Sequence, residues 1–217
     1  MGKEDFLASV EITWLGWSCF RLKGRETIIL TDPYEGLQEG SLEADIVTIS
    51  HEHPGHNYTA AVKGEPKLLH GPGEYEIKGV FIYGLQTFHD GVRGRARGKN
   101  TIFLIELDGI KVCHLGDLGH VLSAEQAGEL SDTDVLLIPV GGGSTIGAAE
   151  AAELTNLIDP KLVIPMHLRP EGEKSSAGLK AFLQEMGLKE LVPVPKLAIT
   201  RTSLPTETQV ILLKSGQ

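Results

Sequence analysis

Three histidines lie within six residues of the sequence, directly after a short apolar run. The stretch from 45 to 59 reads DIVTISHEHPGHNYT and contains His51, His53 and His56. Side chains alternate along a strand, so His51 and His53 can point the same way as it ends. Pro54-Gly55 supplies a bend that lets His56 approach from the other side. Because converging imidazoles are ligands for Zn²⁺ and similar ions, the stretch predicts a metal site rather than a solvated histidine-rich loop.

Other apolar runs also end in residues that bind metals. LQTFHD ends at His89 and Asp90, KVCHLGD ends at Asp117, and LVIPMHL places His167 near its close. The carboxyl ends of strands in an α/β sheet face a common crevice, where ligands collect. Several strand ends that carry His or Asp therefore favour one metal centre built from distant parts of the chain.

The elements that must position these residues change in kind along the chain. Short apolar runs separated by Gly or Pro predict strands in the first half. Asp108-Gly109 predicts a tight hairpin, because both positions tolerate a positive φ. Beyond it strands alternate with helices, of which one opens with a capping box at Ser123 and one ends before Asp159-Pro160. We therefore expect a single α/β domain over residues 1–217, with helices outside the sheets.

Composition excludes several classes of protein. The net charge is −9, which disfavours non-specific nucleic-acid binding. No apolar run approaches the ~20 residues that span a bilayer, so we expect no membrane segment. The N-terminal stretch has no long apolar region typical of secretion, and Cys19 and Cys113 alone make no disulfide framework. A cytoplasmic location is the simplest expectation.

Three further features have two interpretations each. His114 lies in an apolar strand, where a core or supporting role is favoured over metal binding. RGRARGK, from 93 to 99, follows His89 closely. Arg95 and its neighbours either rim the pocket and favour anionic substrates or form a solvated loop. The glycine-rich stretch from 139 to 150 is either an anion-binding turn or a flexible turn.

The chain resembles the metallo-β-lactamase-fold hydrolases, in the branch related to ascorbate-phosphate lactonase and N-acyl-phosphatidylethanolamine phospholipase D. The resemblance spans nearly the whole chain, from ITWLGWSCFRL and ILTDPY to PMHL. The family motif is His-x-His-x-Asp-His, followed by a later His, a Gly-Asp and a final His. The resemblance implies a four-layer αββα sandwich. It also implies two metal sites bridged by Asp117, the first with His51, His53 and His89 and the second with His56 and His167.

Gly55 departs from this motif. It stands where the family has an aspartate that binds the second metal ion. The loss of one negative charge predicts one strong site and a second site that is weak or empty. Asp32 and Asp90 are candidates to compensate, and Asp32 is otherwise expected to support the ligands or to rim the substrate pocket.

These residues together predict a metal-dependent hydrolase. A water activated by the metal would attack a small, anionic ester, lactone or phosphodiester, and Asp117 would orient that water or accept its proton. Zn²⁺ is the first choice of metal, and Mn²⁺, Ni²⁺ or Fe²⁺ also suit such ligands. The alternative, which Gly55 favours, is a catalytically degenerate protein of this fold that acts as a binding or scaffold module. The sequence leaves a homo-oligomer open.

Overall fold

The structure is a computed structural model that describes residues 8–168 and 177–216. Its strands are, in chain order, β1 Ser9–Gly16, β2 Cys19–Lys23, β3 Ile28–Thr31, β4 Ile46–Ile49, β5 Lys67–His70, β6 Gly73–Ile77, β7 Val80–Phe88, β8 Lys99–Leu107, β9 Ile110–His114, β10 Val135–Pro139, β11 Leu162–Met166, β12 Leu197–Thr200 and β13 Gln209–Val210. Its α-helices are α1 Ala124–Gly128, α2 Ala148–Ile158 and α3 Ala177–Glu185, and 3₁₀ turns occur at Thr59–Ala61 and Arg201–Ser203.

The strands form two mixed sheets. The first has the order β12-β1-β2-β3-β4-β5, and the second has the order β13-β11-β10-β9-β8-β7-β6. Alternate side chains of the first sheet, such as Trp14, Phe20 and Ile29, share one apolar core with Phe103 and Val112 of the second. Removing these side chains from water drives the two sheets together face to face.

The turns and caps expected from the sequence are present. Asp108 and Gly109 have φ values of 50° and 77°, and Leu107 pairs directly with Ile110 across the β8–β9 hairpin. Ser123 caps α1 with a capping box. Helix α2 is followed by Asp159 in the left-handed conformation, which stops it before the proline. Local sequence therefore determines where these elements begin and end.

The α/β sandwich is confirmed, with a difference between its two outer faces. Strands β10 and β11 are buried on both faces, as expected of parallel strands covered by helices. The outer face of the first sheet is apolar too, and Leu30 and Val47 there pack with Tyr34 and Val62. Within the described ranges, irregular segments and a 3₁₀ turn cover this face where an α-helix was expected. No α-helix in these ranges has the length and apolar character needed to cross a membrane.

Strand direction brings four chain segments to one edge of the sandwich. Strands β9, β10 and β11 are parallel, and β7 runs the same way because β8 is antiparallel to both β7 and β9. In the first sheet β4 is parallel to β3 and β5. The amide of Thr101 donates to the carbonyl of Ser50 at 2.8 Å, which fastens the two sheets at this edge. The segments that follow β4, β7, β9 and β11 therefore meet there.

Candidate metal centre

A buried carboxylate is the meeting point of the candidate site. Asp117, which follows β9, is 3% exposed. Its Oδ2 lies 3.3 Å from the Nε2 atom of each of three imidazoles: His56, His89 and His167. His51 completes the cluster, with its ring centroid 4.3 Å from that of His56. The structure thus brings together side chains from four strand ends.

The donor atoms fit a bound metal ion. They form three overlapping groups with ligand atoms within 4.8 Å of one another: His51, His53 and His56; His51, His89 and Asp117; and His56, Asp117 and His167. The Nε2 of His51 is buried and has no hydrogen-bond partner among the described residues. A buried polar atom without a partner is unfavourable, and a metal ion would satisfy it. Nitrogen and carboxylate oxygen donors suit zinc and related divalent ions.

The grouping differs in detail from the one that the family motif implies. The expected second set, His56, His167 and Asp117, occurs as one group. The expected first set is divided between two groups that share His51, because His53 lies at the exposed mouth of the site. There its Nδ1 accepts the amide of Gly55 at 3.1 Å. The assignment of ligands to two separate metal sites stays a prediction.

Asp32 supports two of the imidazoles from behind. It is fully buried and accepts His56 Nδ1–H at 2.9 Å and the Ser50 hydroxyl at 2.6 Å. The same hydroxyl lies 3.0 Å from His51 Nδ1 and can accept its proton. One carboxylate therefore fixes the tautomers of His51 and His56 so that both Nε2 atoms face the cavity. Asp32 therefore lies behind the imidazoles, and it is completely buried and not among the residues that line the cavity.

Asp90, the other residue considered as a substitute for the missing aspartate, has a different role. Its Oδ1 accepts the amides of Val92 and Gly94, and its Oδ2 accepts those of Ala96 and Arg97. All four bonds are between 2.7 and 2.9 Å long. The carboxylate is therefore occupied in shaping the loop after His89, and it does not replace the side chain that Gly55 lacks.

The electrostatics of the polypeptide favour a cation at this position. Burial would raise the pKa of Asp117, but hydrogen bonds from the surrounding imidazoles outweigh it and hold that pKa well below its ordinary value. Burial likewise opposes ionisation of Asp32, yet its hydrogen bond with His56 leaves its pKa lowered. Two carboxylates thus stay anionic in a largely buried cluster.

The imidazoles respond in opposite directions. Burial lowers the pKa of His56, but its hydrogen bonds with Asp117 and Asp32 prevail and raise it to about 10. Burial and the neighbouring His56 lower the pKa of His51 to about 4. His51 is therefore neutral at physiological pH, which is the form that binds a metal, whereas His56 would release a proton on binding one.

The sequence analysis missed the residue that positions the Asp117 backbone. Asn100 is fully buried at the start of β8, and its Oδ1 accepts the Asp117 amide at 2.9 Å. Its Nδ2 donates to Thr87 and to the carbonyl of Leu115. A Cβ at Gly116 would lie 2.4 Å from the Asn100 oxygen, and its φ is 58°, so only glycine fits there. An amide side chain inside an apolar strand was the available signal.

His114 occupies the interior position expected of it. It is fully buried in β9, and its Nε2 donates to the carbonyl of Ser18 at 2.8 Å. The hydroxyl of Ser18 lies 3.5 Å from Asp117 Oδ1. His114 therefore fixes the segment that flanks Asp117 and takes no part in the imidazole cluster.

A cavity of about 540 Å³ opens above the cluster. Besides the clustered residues it is lined by Trp17, Glu52, His53, Gly55, Arg97 and Ser144. The structure corrects the choice of arginine, because Arg97 lines this cavity while Arg95 lines a smaller, separate one with Gly91, Val92 and Arg93. The cause is the winding of the loop around Asp90, which turns neighbouring arginines to different sides.

The backbone is strained on the Trp17 side of the cavity. Trp17 and His167 have φ values of 50° and 59°, which bulky residues rarely adopt. The carbonyl of Trp17 holds this arrangement by accepting both the His167 amide at 3.0 Å and the Trp14 indole at 2.9 Å. The Trp17 ring then meets the His167 ring edge-on, with centroids 5.7 Å apart.

Comparison with known proteins identifies the family. A family model described as "Beta-lactamase superfamily domain" matches residues 11–167, which hold all of the clustered residues. The chain therefore belongs to the β-lactamase superfamily, and its two mixed sheets are those of the metallo-β-lactamase fold.

Within that superfamily the chain belongs with the UPF0173 metal-dependent hydrolases. It is 34% identical over 183 residues to one from Methanoculleus marisnigri, covering 73% of this chain and 80% of the relative. A second, from Methanoregula boonei, is 29% identical over 234 residues and 96% of each chain. A crystal structure from Thermotoga maritima, provisionally described as a Zn-dependent hydrolase of the metallo-β-lactamase superfamily, superposes with a TM-score of 0.77. That structure is 39% identical and covers 94% of this chain and 98% of its own. The prediction of a metal-dependent hydrolase of this fold is confirmed.

Replacing Asp32 tests its supporting role. In Asp32→Asn the NH2 group must face either His56 Nδ1 and the Ser50 hydroxyl or the backbone amide of Ser50, each of which is a donor. One side of the carboxylate's support is lost in either case, and the negative charge behind the imidazoles is lost in both. We expect metal affinity to fall roughly 10- to 100-fold, measured by titration calorimetry on the folded protein. Asp132→Asn, at an exposed carboxylate that pairs with Lys111, is the matched control. An unchanged metal affinity in Asp32→Asn would show that Asp32 does not orient the imidazoles for metal binding.

Trp17 provides a direct optical report of metal binding. The sequence has two tryptophans, and Trp14 belongs to the core while Trp17 lines the cavity beside His167. Ni²⁺ quenches indole emission at short range, so Ni²⁺ bound at the cluster is expected to quench Trp17. The quenching should persist in Trp14→Phe and largely disappear in Trp17→Phe. Strong quenching that survives in Trp17→Phe would place the ion elsewhere.

Proposed function

We propose that the chain is a zinc-type hydrolase of small, anionic esters, lactones or phosphodiesters, and that its strand-edge cluster carries the reaction. The observation that supports this most strongly is the contact of Asp117 Oδ2 with three imidazoles at 3.3 Å, at the base of an open cavity. A carboxylate and imidazoles that share one cavity are a ligand set for a divalent ion. The cavity volume of about 540 Å³ suits a small molecule.

A divalent ion held by Asp117 with His51 and His89, or with His56 and His167, would polarise a carbonyl or phosphoryl oxygen and lower the pKa of a water molecule toward ~7. The chain's own groups would do the rest. Asp117 remains anionic and reaches the cavity, so it can orient water or accept its proton. Asp32 keeps two imidazoles oriented: that of His56 by a direct hydrogen bond and that of His51 through the Ser50 hydroxyl.

The absence of a side chain at Gly55 is the reason to propose that the second ligand set is incomplete. Gly55 lines the cavity without a side chain, and neither Asp32 nor Asp90 is free to supply the missing carboxylate. The set formed by His56, His167 and Asp117 would therefore lack the additional carboxylate that the family motif provides. We propose one strong metal site and a weaker second one. A cytoplasmic location and a homo-oligomeric state stay predictions.

Metal removal tests the hydrolase proposal. We expect the purified protein to hydrolyse 4-nitrophenyl esters or bis(4-nitrophenyl) phosphate, to lose this activity on dialysis against a chelator, and to recover it with Zn²⁺. Asp117→Asn should lower kcat/KM by roughly 10²- to 10⁴-fold, as expected for the loss of a general base. Asp132→Asn should leave it unchanged. Metal-bound protein without turnover on a broad ester panel would favour the scaffold alternative instead.

Gly55→Asp tests the account of the second site. A Cβ at Gly55 would lie 3.1 Å from His53 Nδ1, and the position has no positive φ, so a small shift of an exposed ring accommodates it. The new carboxylate would face the cavity. We expect the metal content per chain, measured by elemental analysis after zinc loading, to rise above that of the unaltered protein. Gly128→Asp, in open space on α1, is the control. An unchanged metal content in Gly55→Asp would contradict this account.

A further inference from the structure

The cavity also has a charged group outside the imidazole cluster. Arg97 is exposed and, among the described residues that line the cavity, is the one lysine or arginine. The chain as a whole carries a net charge of −9. A cation at the mouth of a cavity in an acidic protein provides local attraction for an anion that the overall charge would repel.

The loop that carries Arg97 has a fixed shape. Asp90 accepts four backbone amides of residues 92–97, including that of Arg97 itself at 2.7 Å. The amide of His89 donates to the carbonyl of Gly98, and that of Gly98 donates to Gly94 at 3.0 Å, which closes the loop at its base. The position of the Arg97 backbone is therefore set by a buried carboxylate next to a clustered histidine.

A second loop holds the guanidinium. Arg97 Nη1 donates to the carbonyl of Gly143 at 3.1 Å, and Ser144 next to it also lines the cavity. Gly142 and Gly143 have φ values of 68° and 71°, so this loop takes a turn that glycine alone adopts easily. The guanidinium has five N–H donors, and one bond to a carbonyl leaves others to face the cavity.

The charge of Arg97 has no acidic partner in the part of the chain that the structure describes. In the ranges 8–168 and 177–216, no carboxylate forms an ion pair with it. Glu52, the acidic residue at the cavity mouth, is engaged with His70 and Asn57, both at 2.8 Å. An arginine with free donors beside a serine is a suitable partner for a carboxylate or phosphate, which it can bind through two parallel hydrogen bonds.

We propose that Arg97 and Ser144 form a subsite for a carboxylate or phosphate group of the substrate, distinct from the group that is hydrolysed at the imidazole cluster. This inference rests on the proposed hydrolase function. It narrows the substrate class to small esters or lactones whose negative charge lies on a second group. A phosphodiester whose only charge is on the scissile group has nothing to offer Arg97.

The kinetic test compares an ester with a remote charge, its uncharged counterpart and a phosphodiester that is charged at the scissile group. 4-Acetoxybenzoate carries a carboxylate away from its scissile ester, its methyl ester is neutral, and bis(4-nitrophenyl) phosphate is charged at the scissile group. In Arg97→Gln we expect KM for 4-acetoxybenzoate to rise roughly 10- to 100-fold, the scale of a lost charged hydrogen bond. KM for the other two substrates and kcat for all three should change little. Arg97→Lys should restore only part of the affinity, because lysine keeps the positive charge but cannot form the two parallel hydrogen bonds of a guanidinium.

The matched control is Arg95→Gln, which removes the same charge from the same loop at a side chain outside the cavity. It should behave as the unaltered protein. If Arg95→Gln and Arg97→Gln raise KM equally, the effect is general electrostatic attraction, and the subsite is overturned. An Arg97→Gln variant that keeps its preference for 4-acetoxybenzoate over the neutral ester overturns it too.

Binding separates this inference from the proposed function. Titration calorimetry with benzoate on the zinc-loaded protein should give an affinity that falls roughly 10- to 100-fold in Arg97→Gln and is kept in Arg95→Gln. That result would support the subsite even if no ester were hydrolysed, in which case the hydrolase proposal alone would fail. Benzoate that binds Arg97→Gln as well as the unaltered protein, or binds neither, would overturn the subsite while leaving chelator-sensitive turnover intact.

Discussion

The structure depends on one buried carboxylate being surrounded by imidazoles from both sheets. An isolated buried charge would cost several kcal/mol, so Asp117 requires partners that are themselves held in place. These partners follow β4, β7 and β11, and they reach Asp117 only when the two sheets are packed with this edge in register. The contacts that make the fold unique at this edge are therefore the same contacts that create the donor set. Fold and site are coupled through a single charge.

Behind this cluster a second layer of buried polar groups determines the direction in which the clustered side chains point. Asp32 and Ser50 present two imidazole nitrogens to the cavity, and Asn100 fixes the backbone from which Asp117 projects. Each group is buried and hydrogen-bonded, as buried polar networks must be if they are to stabilise a unique arrangement. The hydroxyl of Ser50 is essential to this layer because it donates to one partner and accepts from another. An apolar side chain of similar size would leave His51 without its supporting contact.

Local rules were enough to predict the α/β class and a metal centre at the strand ends, whereas the four-layer sandwich and the division of the ligands followed from the family resemblance. Strand alternation, the hairpin at Asp108 and the clustering of ligands at strand ends require only nearby residues and strand direction. The arginine at the cavity could not be chosen in this way, since Arg95 and Arg97 differ only in where the loop turns, and that is set by four amides bound to Asp90. The role of Asn100 could not be predicted from local sequence, because its partners lie 13 to 17 residues away along the chain.

The distribution of strain argues for an active cavity and against a degenerate scaffold. Of the seven described non-glycine residues with positive φ, Trp17, Asp32 and His167 lie at or directly behind the cavity, at a typical cost of about 1–3 kcal/mol each. Opposite them, the loop of Arg97 is held by a carboxylate that a simple surface turn would not need. The Trp17 side and the Arg97 side of the cavity are thus each held in a fixed conformation by specific hydrogen bonds. A protein that only bound a partner through its outer surface would gain nothing from keeping strained backbone around an inner cavity. A hydrolase gains from it, because groups already held in position need no reorganisation when charge develops in the transition state.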